Sequence, residues 1–563
     1  MPTLSWLGKK KIVNHHLDVP FYVLDKKYNF ESKVENKNNS SGNRIIHGDN
    51  LAVLKSLLPE FEGKVDCIYI DPPYNTGNKK DNFWIYSDNI DDPRMKEWFG
   101  KVVGKDGEDL SRHDKWLCMM YPRLKLLNRL LAENGVIFIS IDDNEQANLK
   151  LLCDEIFGQS GSLATFIWKN EGNFDNQAKI KIGHEYILGY MKKKDLLERP
   201  TIIDPSISED SKLFNDKIIN TIIKNGNKNP VSVVTLPKGF PCNEESFQVN
   251  PRTDKYPNFN EKIIVREYKT QKAYDLESGW SSKDLLLEFI ENEFQPVLDS
   301  KGQSTTFHLT KNGAIESVKD REIGSHVISI LSGHGTTQSQ RKDLQIMGFD
   351  FPYPKPVDLV KYLITVATAK KDAIILDSFA GSGTTAHAVL KLNQEDKGSR
   401  QFLLCELGEY AETITAERVR LAMNGYGEGK NKTEGLGGSF EFFNLGAPLF
   451  LENELLNESV GIERIREYVS YSECIPLHQQ LSIENNISPS ALGVNEQILW
   501  LFNYDENAVT SLDLDFLGSL NLRGLKQRPN QYVIYADKCV LETKFMQDHG
   551  ITFKRIPRDI LRF

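Results

Sequence analysis

An apolar segment that ends in a carboxylate, two prolines and an aromatic residue constrains the fold more than any other feature of this chain. The run Val65-Asp66-Cys67-Ile68-Tyr69-Ile70 predicts a buried strand, and Asp71-Pro72-Pro73-Tyr74 follows it directly. In open α/β sheets, ligands bind at the carboxyl ends of the strands. Tyr74 offers a π-face for a flat ring, while Asp71 and the Pro72 carbonyl offer two hydrogen-bond acceptors. The set suits an exocyclic amine on a base, although a tight turn with two prolines would also explain the tetrapeptide.

A second motif, far along the chain, also joins a predicted strand to a polar turn. The apolar run Ile374-Ile375-Leu376-Asp377 leads into Phe379-Ala380-Gly381-Ser382-Gly383 and then into a predicted helix from Thr384. Glycines let a ligand approach the backbone closely, and the start of a helix directs free N–H groups at it. A further apolar run ends in Glu406, and an acid there can accept hydrogen bonds from both hydroxyls of a ribose. This part of the chain therefore predicts a nucleotide-like cofactor.

The glycine motif and the acid also fit a dinucleotide-binding oxidoreductase. That alternative requires further strand and helix units after Glu406. The sequence instead predicts one helix, from about Ala411 to Asn424, and then a glycine-rich segment from Gly425 to Gly438. Since the remaining strands lie upstream, around Asp71, the sequence predicts one sheet assembled from two halves in reversed order.

With its motifs in this order, the chain resembles the amino-methylating DNA methyltransferases of the β group, and most of all the modification subunit of Type III restriction systems. The likeness extends to about residue 450 and includes Ile45 to Leu51, Gly135 to Asp143 and Pro354 to Val357. It implies an α/β fold: the Rossmann-like sheet of S-adenosylmethionine-dependent methyltransferases in permuted order, with an inserted recognition domain and a C-terminal accessory domain.

The resemblance also implies an activity, the transfer of a methyl group from S-adenosylmethionine to the exocyclic N6 amine of a flipped-out adenine in double-stranded DNA. It assigns catalysis to Asp71, Pro72, Pro73 and Tyr74. The implied cofactor-binding residues are Asp49, Lys355, Asp377, Phe379, Ala380, Gly381, Gly383, Thr384 and Glu406. This chemistry requires no metal. The implied partners are DNA, a second copy of the chain in a homodimer, and a restriction subunit with helicase and nuclease functions.

Two alternatives to adenine methylation stay open beside the oxidoreductase. Cytosine-N4 methylation is disfavoured because, in this superfamily, a leading Ser in place of Asp71 more often goes with that reaction. A non-catalytic DNA-recognition subunit is disfavoured because the tetrapeptide from Asp71 to Tyr74 and the glycine turn are both intact.

Composition is that of a soluble globular protein, with 40% hydrophobic and 26% charged residues among 563. Because no apolar run is long enough to span a membrane and Lys9-Lys10-Lys11 precedes no apolar core, we predict a cytoplasmic protein. Seven scattered cysteines predict neither a zinc ribbon nor a disulfide framework. The net charge of −9 is uneven, since residues 441 to 520 hold 13 acidic and 2 basic side chains. An acidic total therefore does not exclude a local basic face for DNA.

Breaks in the pattern predict the domain organisation. The predicted parts are an N-terminal arm (1–43), a catalytic half (44–190), a target recognition domain (191–345), a cofactor-binding half (346–424), a linker (425–438) and a C-terminal domain (439–563). Residues 77 to 112 are predicted to form a long active-site loop. Within the recognition domain, the candidates for contacts with base edges or phosphates are Arg252, Lys255, Arg266 and Lys272.

Overall fold

The protein is described by a computed structural model, which covers residues 3–34, 42–76, 111–170, 179–200, 202–208, 210–211, 215–320, 326–451, 453–525 and 527–558. It divides into two compact units. The first unit combines Met1–Pro200 with Ile328–Phe563, and the second is Thr201–Val327. The second unit is thus an insertion in the chain of the first.

Within its described residues, the first segment of the chain supplies six strands to the first unit. They are β1 (Tyr22–Glu31), β2 (Arg44–His47), β3 (Val65–Ile70), β4 (Leu131–Ile141), β5 (Ser162–Lys169) and β6 (His184–Met191). The helices are Lys9–Ile12, His15–Asp18, Asn50–Phe61, Arg112–Leu130 and Gln146–Phe157. Every residue of β3 is buried, as expected for a strand covered on both faces of a sheet. A reciprocal pair of hydrogen bonds between Ser111 and Asp114 caps the start of the helix Arg112–Leu130.

The inserted unit is built mainly from short antiparallel strands around its own apolar core. Its strands are β7 (Lys217–Thr221), β8 (Ser232–Leu236), β9 (Phe247–Val249), β10 (Ile263–Arg266), β11 (Lys269–Thr270), β12 (Tyr274–Ser278), β13 (Val297–Leu298), β14 (Ser304–Leu309) and β15 (Ile315–Asp320). One helix, Lys283–Glu291, buries Leu286 and Phe289 in that core.

The second segment of the first unit alternates strands with helices. Its strands are β16 (Ile330–Leu331), β17 (Ile374–Asp377), β18 (Gln401–Glu406), β19 (Gly425–Tyr426), β20 (Thr433–Glu434) and β21 (Ser439–Pro448). Its α-helices are Thr337–Ile346, Val357–Ala367, Thr384–Asp396 and Glu417–Asn424. A π-helical turn, Glu412–Ala416, leads into the last of these helices.

Both segments contribute to a single ten-stranded sheet in the order β1-β21-β2-β18-β17-β3-β4-β6-β5-β16. The contact between segments runs through the centre of the sheet, where β17 pairs in parallel with β3 and places Leu376 opposite Ile68. β18 pairs in parallel with β2, so Glu406 lies opposite His47. Because β2, β3, β17 and β18 are all parallel, the residues that follow them lie along one edge of the sheet.

The C-terminal part adds a smaller sheet in the order β22-β23-β25-β27. The strands of this part are β22 (Ala491–Val494), β23 (Ile498–Phe502), β24 (Ser511–Leu512), β25 (Gln531–Ala536), β26 (Lys538–Cys539) and β27 (Ile551–Arg555), and β24 pairs with β26 in a separate sheet. The helices are Ile462–Ser472, Leu514–Ser519 and Thr543–Asp548. Tyr471 joins this part to the first segment, because its hydroxyl donates to Glu62 at 2.8 Å and accepts from Arg129 at 2.8 Å.

Several structural boundaries differ from the predicted domains. Residues 22–31 of the predicted arm form β1, which pairs with β21 and stacks Tyr28 on Phe442 at 5.1 Å between ring centroids. β21 itself belongs to the main sheet, although we predicted that the C-terminal domain would begin at Ser439. The predicted linker contains the paired strands β19 and β20. The β1–β21 pairing joins distant parts of the chain, which local patterns do not report, whereas β19 and β20 are two-residue strands, too short to show a pattern.

The predicted recognition domain, 191–345, is longer than the inserted unit. Residues 328–345 belong to the first unit, where β16 pairs with β5 and the helix Thr337–Ile346 follows. The predicted loop at residues 77 to 112 lies outside the described residues except for its last two positions, 111 and 112. Within the described part of the chain, no helix combines the length and apolar character that crossing a membrane requires.

Candidate active site

Asp71-Pro72-Pro73-Tyr74 leaves the carboxyl end of β3 at the centre of the sheet. The indole Nε1 of Trp116 donates to the Pro73 carbonyl at 2.7 Å and fixes the path of the two prolines. Among the described residues, no donor reaches the Pro72 carbonyl. In the described part of the chain, the Pro72 carbonyl is thus a backbone acceptor without a donor next to Asp71 in sequence.

Lys355, from the second segment, lies directly on Asp71. Its ammonium donates to Asp71 Oδ1 at 2.9 Å and to Oδ2 at 2.7 Å. The Lys355 side chain is 8% exposed and that of Asp71 is 19% exposed, so the pair is largely shielded from water. The sequence places these residues 284 positions apart, and the β3–β17 pairing brings them together. Lys355, which the resemblance assigned to the cofactor, thus contacts the predicted catalytic carboxylate.

Glu185, at the start of β6, completes a cluster with Asp71, Tyr74 and Lys355. Its Oε2 lies 3.3 Å from Lys355 Nζ and accepts a hydrogen bond from the Tyr74 hydroxyl at 2.8 Å. The same hydroxyl lies 2.9 Å from Asp71 Oδ1. Because a phenol has one proton to donate, it can serve only one of these carboxylates at a time. We call these four residues the carboxylate–lysine cluster.

Burial and the two carboxylates set the protonation of the cluster. Burial raises the pKa of Asp71 above its ordinary range, and the Lys355 ammonium opposes that rise. Burial by itself would lower the pKa of Lys355, but the Asp71 and Glu185 carboxylates outweigh it and hold that pKa above its usual value. Lys355 is therefore a fixed cation. It opposes the rise in the pKa of Asp71 that burial causes, and so favours the ionised carboxylate.

The glycine turn after β17 is held by side chains of its own segment. Asp377 accepts from the backbone N–H of Phe379 at 3.0 Å and from the Thr385 hydroxyl at 2.5 Å. Burial raises the pKa of Asp377 to about 7, although these hydrogen bonds oppose the rise. Gly381 has φ +52° and Gly383 has φ +83°, conformations that L-residues with side chains rarely adopt. Ala380 and Thr384, beside the glycines, are buried.

Glu406, at the end of β18, stabilises the glycine turn through hydrogen bonds from backbone N–H groups. Its Oε2 accepts from the N–H of Gly381 at 2.7 Å, and its Oε1 accepts from the N–H of Gly408 at 2.8 Å. Burial raises the pKa of Glu406. Each carboxylate oxygen has a second lone pair. The predicted role as a ribose acceptor stays a prediction, and the structure adds a hold on the turn itself.

A buried hydrogen-bond chain connects the glycine turn to the carboxylate–lysine cluster. Arg418 is fully buried, and its Nη1 donates to the Ser382 hydroxyl at 2.6 Å and to the Thr384 hydroxyl at 2.8 Å. The Thr384 hydroxyl donates in turn to the carbonyl of Lys355 at 3.1 Å. The position of Lys355 is therefore tied to the turn that is predicted to bind the cofactor.

Asp49, another predicted cofactor contact, caps the helix Asn50–Phe61. Its Oδ1 accepts from the N–H of Leu51 at 2.8 Å and from that of Ala52 at 3.3 Å. Its Oδ2 lies 3.3 Å from Arg123 Nη2, and the side chain remains 40% exposed. The cap leaves Asp49 at the same edge of the sheet as Asp71 and the glycine turn.

The four residues predicted to contact base edges or phosphates lie in the inserted unit. Arg252 stacks on Phe259, 5.2 Å from the ring centroid, and its Nε donates to the Pro257 carbonyl at 3.0 Å. Lys272 pairs with Glu261 on the surface. Lys255 and Arg266 are exposed. Reading of bases by any of these side chains stays a prediction.

Sequence reasoning missed Glu185, Trp116 and Arg418. Glu185 lies near the start of β6, and its position at a strand end is the signal that could have found it. Trp116 lies among the apolar residues of the helix Arg112–Leu130, and that pattern gives no indication of its hydrogen bond to Pro73. Arg418 lies within a predicted helix in an ordinary pattern, and nothing local marks it as buried.

Comparison with known proteins gives a consistent family. Residues 65–473 match the model of a family described as DNA methylase. The chain is 35% identical over 430 residues to the Type III restriction-modification enzyme EcoPI Mod subunit of Escherichia phage P1, covering 72% of this chain and 64% of that protein. It is 32% identical over 442 residues to the EcoP15I Mod subunit of Escherichia coli, with the same two coverages. The Type II methyltransferase M.KpnI of Klebsiella pneumoniae is 30% identical, covering 65% of this chain and 81% of that protein.

The matched region is only part of the Mod subunits. The chain spans 64% of the EcoPI and EcoP15I proteins, slightly less than two thirds of their length.

Proposed function

The chain belongs to the DNA methylase family, and from that premise we propose that it is a site-specific DNA methyltransferase acting on the N6 amine of adenine. The observation that carries the proposal is the carboxylate–lysine cluster. It joins Asp71 of one segment to Lys355 of the other at the edge of the sheet where ligands bind in this class of fold. The sheet order supports the permuted methyltransferase arrangement, in which the catalytic motif precedes the cofactor motif.

The hydrogen bonds already made by Asp71 indicate which oxygen meets the target amine. Lys355 donates to both oxygens of Asp71, and the Tyr74 hydroxyl lies 2.9 Å from Oδ1, whereas among the described residues only Lys355 donates to Oδ2. A carboxylate oxygen has two lone pairs, so Oδ2 retains one. We assign Oδ2 and the Pro72 carbonyl as the two acceptors for the hydrogens of the N6 amine. They draw the nitrogen toward tetrahedral geometry and stabilise the positive charge that develops on it.

The proposed cofactor is S-adenosylmethionine, which supplies an electrophilic methyl group when it is bound. The glycine turn, Asp377 and Glu406 fit it, because they offer backbone approach and acidic acceptors at one edge of the sheet. With the cofactor bound, Asp71 and the Pro72 carbonyl would hold the amine nitrogen for attack on the methyl group, and the electron pair of the C–S bond would stay on sulfur. The surplus proton leaves the nitrogen for Asp71 and then passes to solvent. Tyr74 holds the flipped base by stacking, which contributes about 1–3 kcal/mol per base.

Cytosine-N4 methylation and a non-catalytic recognition role are the alternatives. The complete carboxylate–lysine cluster argues against the second, because a subunit that only recognises DNA has no need of a buried carboxylate held by a cation. The proposed partners are double-stranded DNA, a second copy of the chain and a restriction subunit, since two relatives are named as Mod subunits of Type III restriction-modification enzymes. The proposed location is the cytoplasm.

Methylome sequencing tests the proposed function. DNA from a bacterial host that expresses the wild-type chain should carry N6-methyladenine at one short recurring sequence. The same host expressing Asp71→Asn should lack it. N4-methylcytosine at that sequence would support cytosine-N4 methylation instead. The absence of any modified base would support the non-catalytic recognition role.

The hold of Glu406 on the glycine turn predicts a loss of cofactor affinity. Glu406→Ala removes two hydrogen bonds to backbone N–H groups, and Gly381→Val places a branched side chain at a positive φ. We expect each variant to weaken S-adenosylmethionine binding about tenfold or more, because hydrogen bonds to charged groups contribute roughly 1.5–3 kcal/mol. Calorimetric titration measures the effect, and Glu428→Ala, an exposed acid of the same segment, is the matched control. Unchanged affinity in both variants would remove the turn from the cofactor site.

Sequence recognition is proposed for the inserted unit, Thr201–Val327. The unit has its own core and, in the sequence, it separates the two segments that form the ten-stranded sheet. Replacing it with the corresponding unit of a related enzyme should move methylation to that enzyme's sequence while the carboxylate–lysine cluster continues to work. Methylome sequencing of the chimera measures this. An unchanged recognition sequence with retained activity would place the reader elsewhere, in residues 328–345 or in the C-terminal part.

A further inference from the structure

Large apolar side chains are exposed on the two segments that deliver Glu185 and Lys355. Ile180 is 84% exposed, the highest value among the large apolar side chains of the described residues, and Ile182 is 61% exposed. Tyr353, two residues before Lys355, is 67% exposed. Ile182 precedes Glu185 by three residues, a length of chain that spans at most about 11 Å. Ile182 and Tyr353 are therefore within three residues of members of the carboxylate–lysine cluster, and Ile180 precedes Ile182 by two residues.

The isoleucines lie shortly before the start of β6. The N–H of Asn170, the residue after β5, donates to the carbonyl of Gly183, the residue before β6, at 3.1 Å. The Asn170 side chain also accepts from the N–H of Thr337 at 3.3 Å. Asn170 thus connects the start of the helix Thr337–Ile346 to Gly183, the residue that precedes β6.

Polar and cationic side chains surround the exposed apolar ones. Lys179 and Lys181 alternate with the isoleucines along the chain. Tyr353 borders a groove of about 460 Å³ whose other lining residues are Thr337, Gln338, Arg341, Lys342, Gln345 and Pro352. Arg341 contacts Asp350 at 2.8 Å, but an exposed pair of this kind contributes only about 0–1 kcal/mol and can open for another anion. This combination of cations, amides and apolar side chains matches what proteins present to a nucleic acid.

We propose that Ile180, Ile182 and Tyr353 form an apolar wedge that enters the DNA duplex where the target base leaves it. The proposal rests on the proposed function, because a base that reacts at Asp71 must be extruded from its stack. Extrusion leaves a gap between the neighbouring base pairs, and apolar side chains of other DNA-binding proteins enter such openings between base steps. The flanking lysines and the Arg341–Lys342 groove then contact the phosphates on either side. The apolar surface is covered by DNA in the complex, which accounts for its exposure in the free chain.

The wedge predicts a defect that depends on the pairing of the target base. The probe is a duplex carrying the sequence found by methylome sequencing, either fully paired or with a mismatch at the target adenine. Ile180→Ser/Ile182→Ser and Tyr353→Ala should each slow single-turnover methyl transfer about tenfold or more on the paired duplex, since unstacking costs a few kcal/mol. On the mismatched duplex, where the base is already unpaired, both variants should react nearly as fast as the wild type.

The matched control is Leu514→Ser, which removes an equally exposed apolar side chain from the C-terminal part and should leave both rates unchanged. Fluorescence of 2-aminopurine at the target position should report less extrusion by the wedge variants, and calorimetry should show unchanged S-adenosylmethionine affinity. Equal losses on the two duplexes, or no loss on either, would overturn the wedge. A loss of dimer formation with normal extrusion would also overturn it, by assigning the apolar surface to a subunit contact. A wild-type chain that methylates neither duplex would instead refute the proposed function.

Discussion

Asp71→Asn should slow methyl transfer by about 10²- to 10³-fold, the loss seen when one electrostatic stabiliser of a transition state is removed. Asparagine keeps the size of the side chain but loses the negative charge that stabilises the developing cation on the amine. It also cannot accept the proton that the amine releases. Single-turnover transfer of a labelled methyl group to DNA measures the effect at saturating S-adenosylmethionine.

S-adenosylmethionine affinity is the control for this variant. The proposed cofactor contacts lie on the glycine turn and on Glu406, so calorimetry should give a dissociation constant close to that of the wild type. Asp142→Asn is the matched control and should leave transfer close to the wild-type rate. Asp142 follows β4, the neighbour of β3, and its carboxylate accepts hydrogen bonds from Asn144. Near-normal transfer by Asp71→Asn would exclude the proposed mechanism.

Lys355→Met should have the second largest effect, and the effect should depend on pH. The substitution leaves the Asp71 and Glu185 carboxylates close together without their cation. Loss of an opposite charge at this distance raises the pKa of a carboxyl group by about 1–3 units. Since burial already raises the pKa of Asp71, the variant should hold it protonated near neutral pH. Transfer should therefore fall about 10- to 1000-fold at neutral pH and recover as the pH rises.

The pH–rate profile separates this electrostatic role from a purely structural one. The wild type should reach its plateau at lower pH than Lys355→Met, because Asp71 is the group that must be ionised. Lys355→Arg keeps the charge and should restore much of the rate at neutral pH. Tyr74→Phe removes one hydrogen bond to Asp71 but keeps the ring and the ammonium, so its loss should be smaller. A loss in Lys355→Met that is the same at every pH would refute the proposed electrostatic role.

The strands and the two motifs could be predicted because they depend on local pattern. β3 and β17 are apolar runs that end in a polar turn, and the helix predicted from Thr384 is present as Thr384–Asp396. The positive φ at Gly381 and Gly383 matches the conformational need inferred for a turn close to a ligand. These features are fixed within about twenty residues, a span that sequence reasoning can examine.

The contacts that complete the site could not be predicted because they are not local. Lys355 meets Asp71 only through the pairing of β17 with β3, and Glu185 joins them only because β6 pairs with β4. Glu185 and Arg418 are ordinary charged residues within a strand and a helix until the sheet order is known. The same reason explains why β1 and β21, at the opposite end of the sheet from β16, were assigned to other domains.

The most direct test of the central claim is to follow the methyl group itself. Purified protein is incubated with methyl-labelled S-adenosylmethionine and unmethylated DNA containing the sequence found in the methylome, and the DNA is then digested to nucleosides for mass spectrometry. We expect the label in N6-methyl-2′-deoxyadenosine with the wild type and almost none with Asp71→Asn. Label in N4-methylcytosine, or equal labelling by the two proteins, would contradict the assignment of Asp71 as the residue that activates an adenine amine.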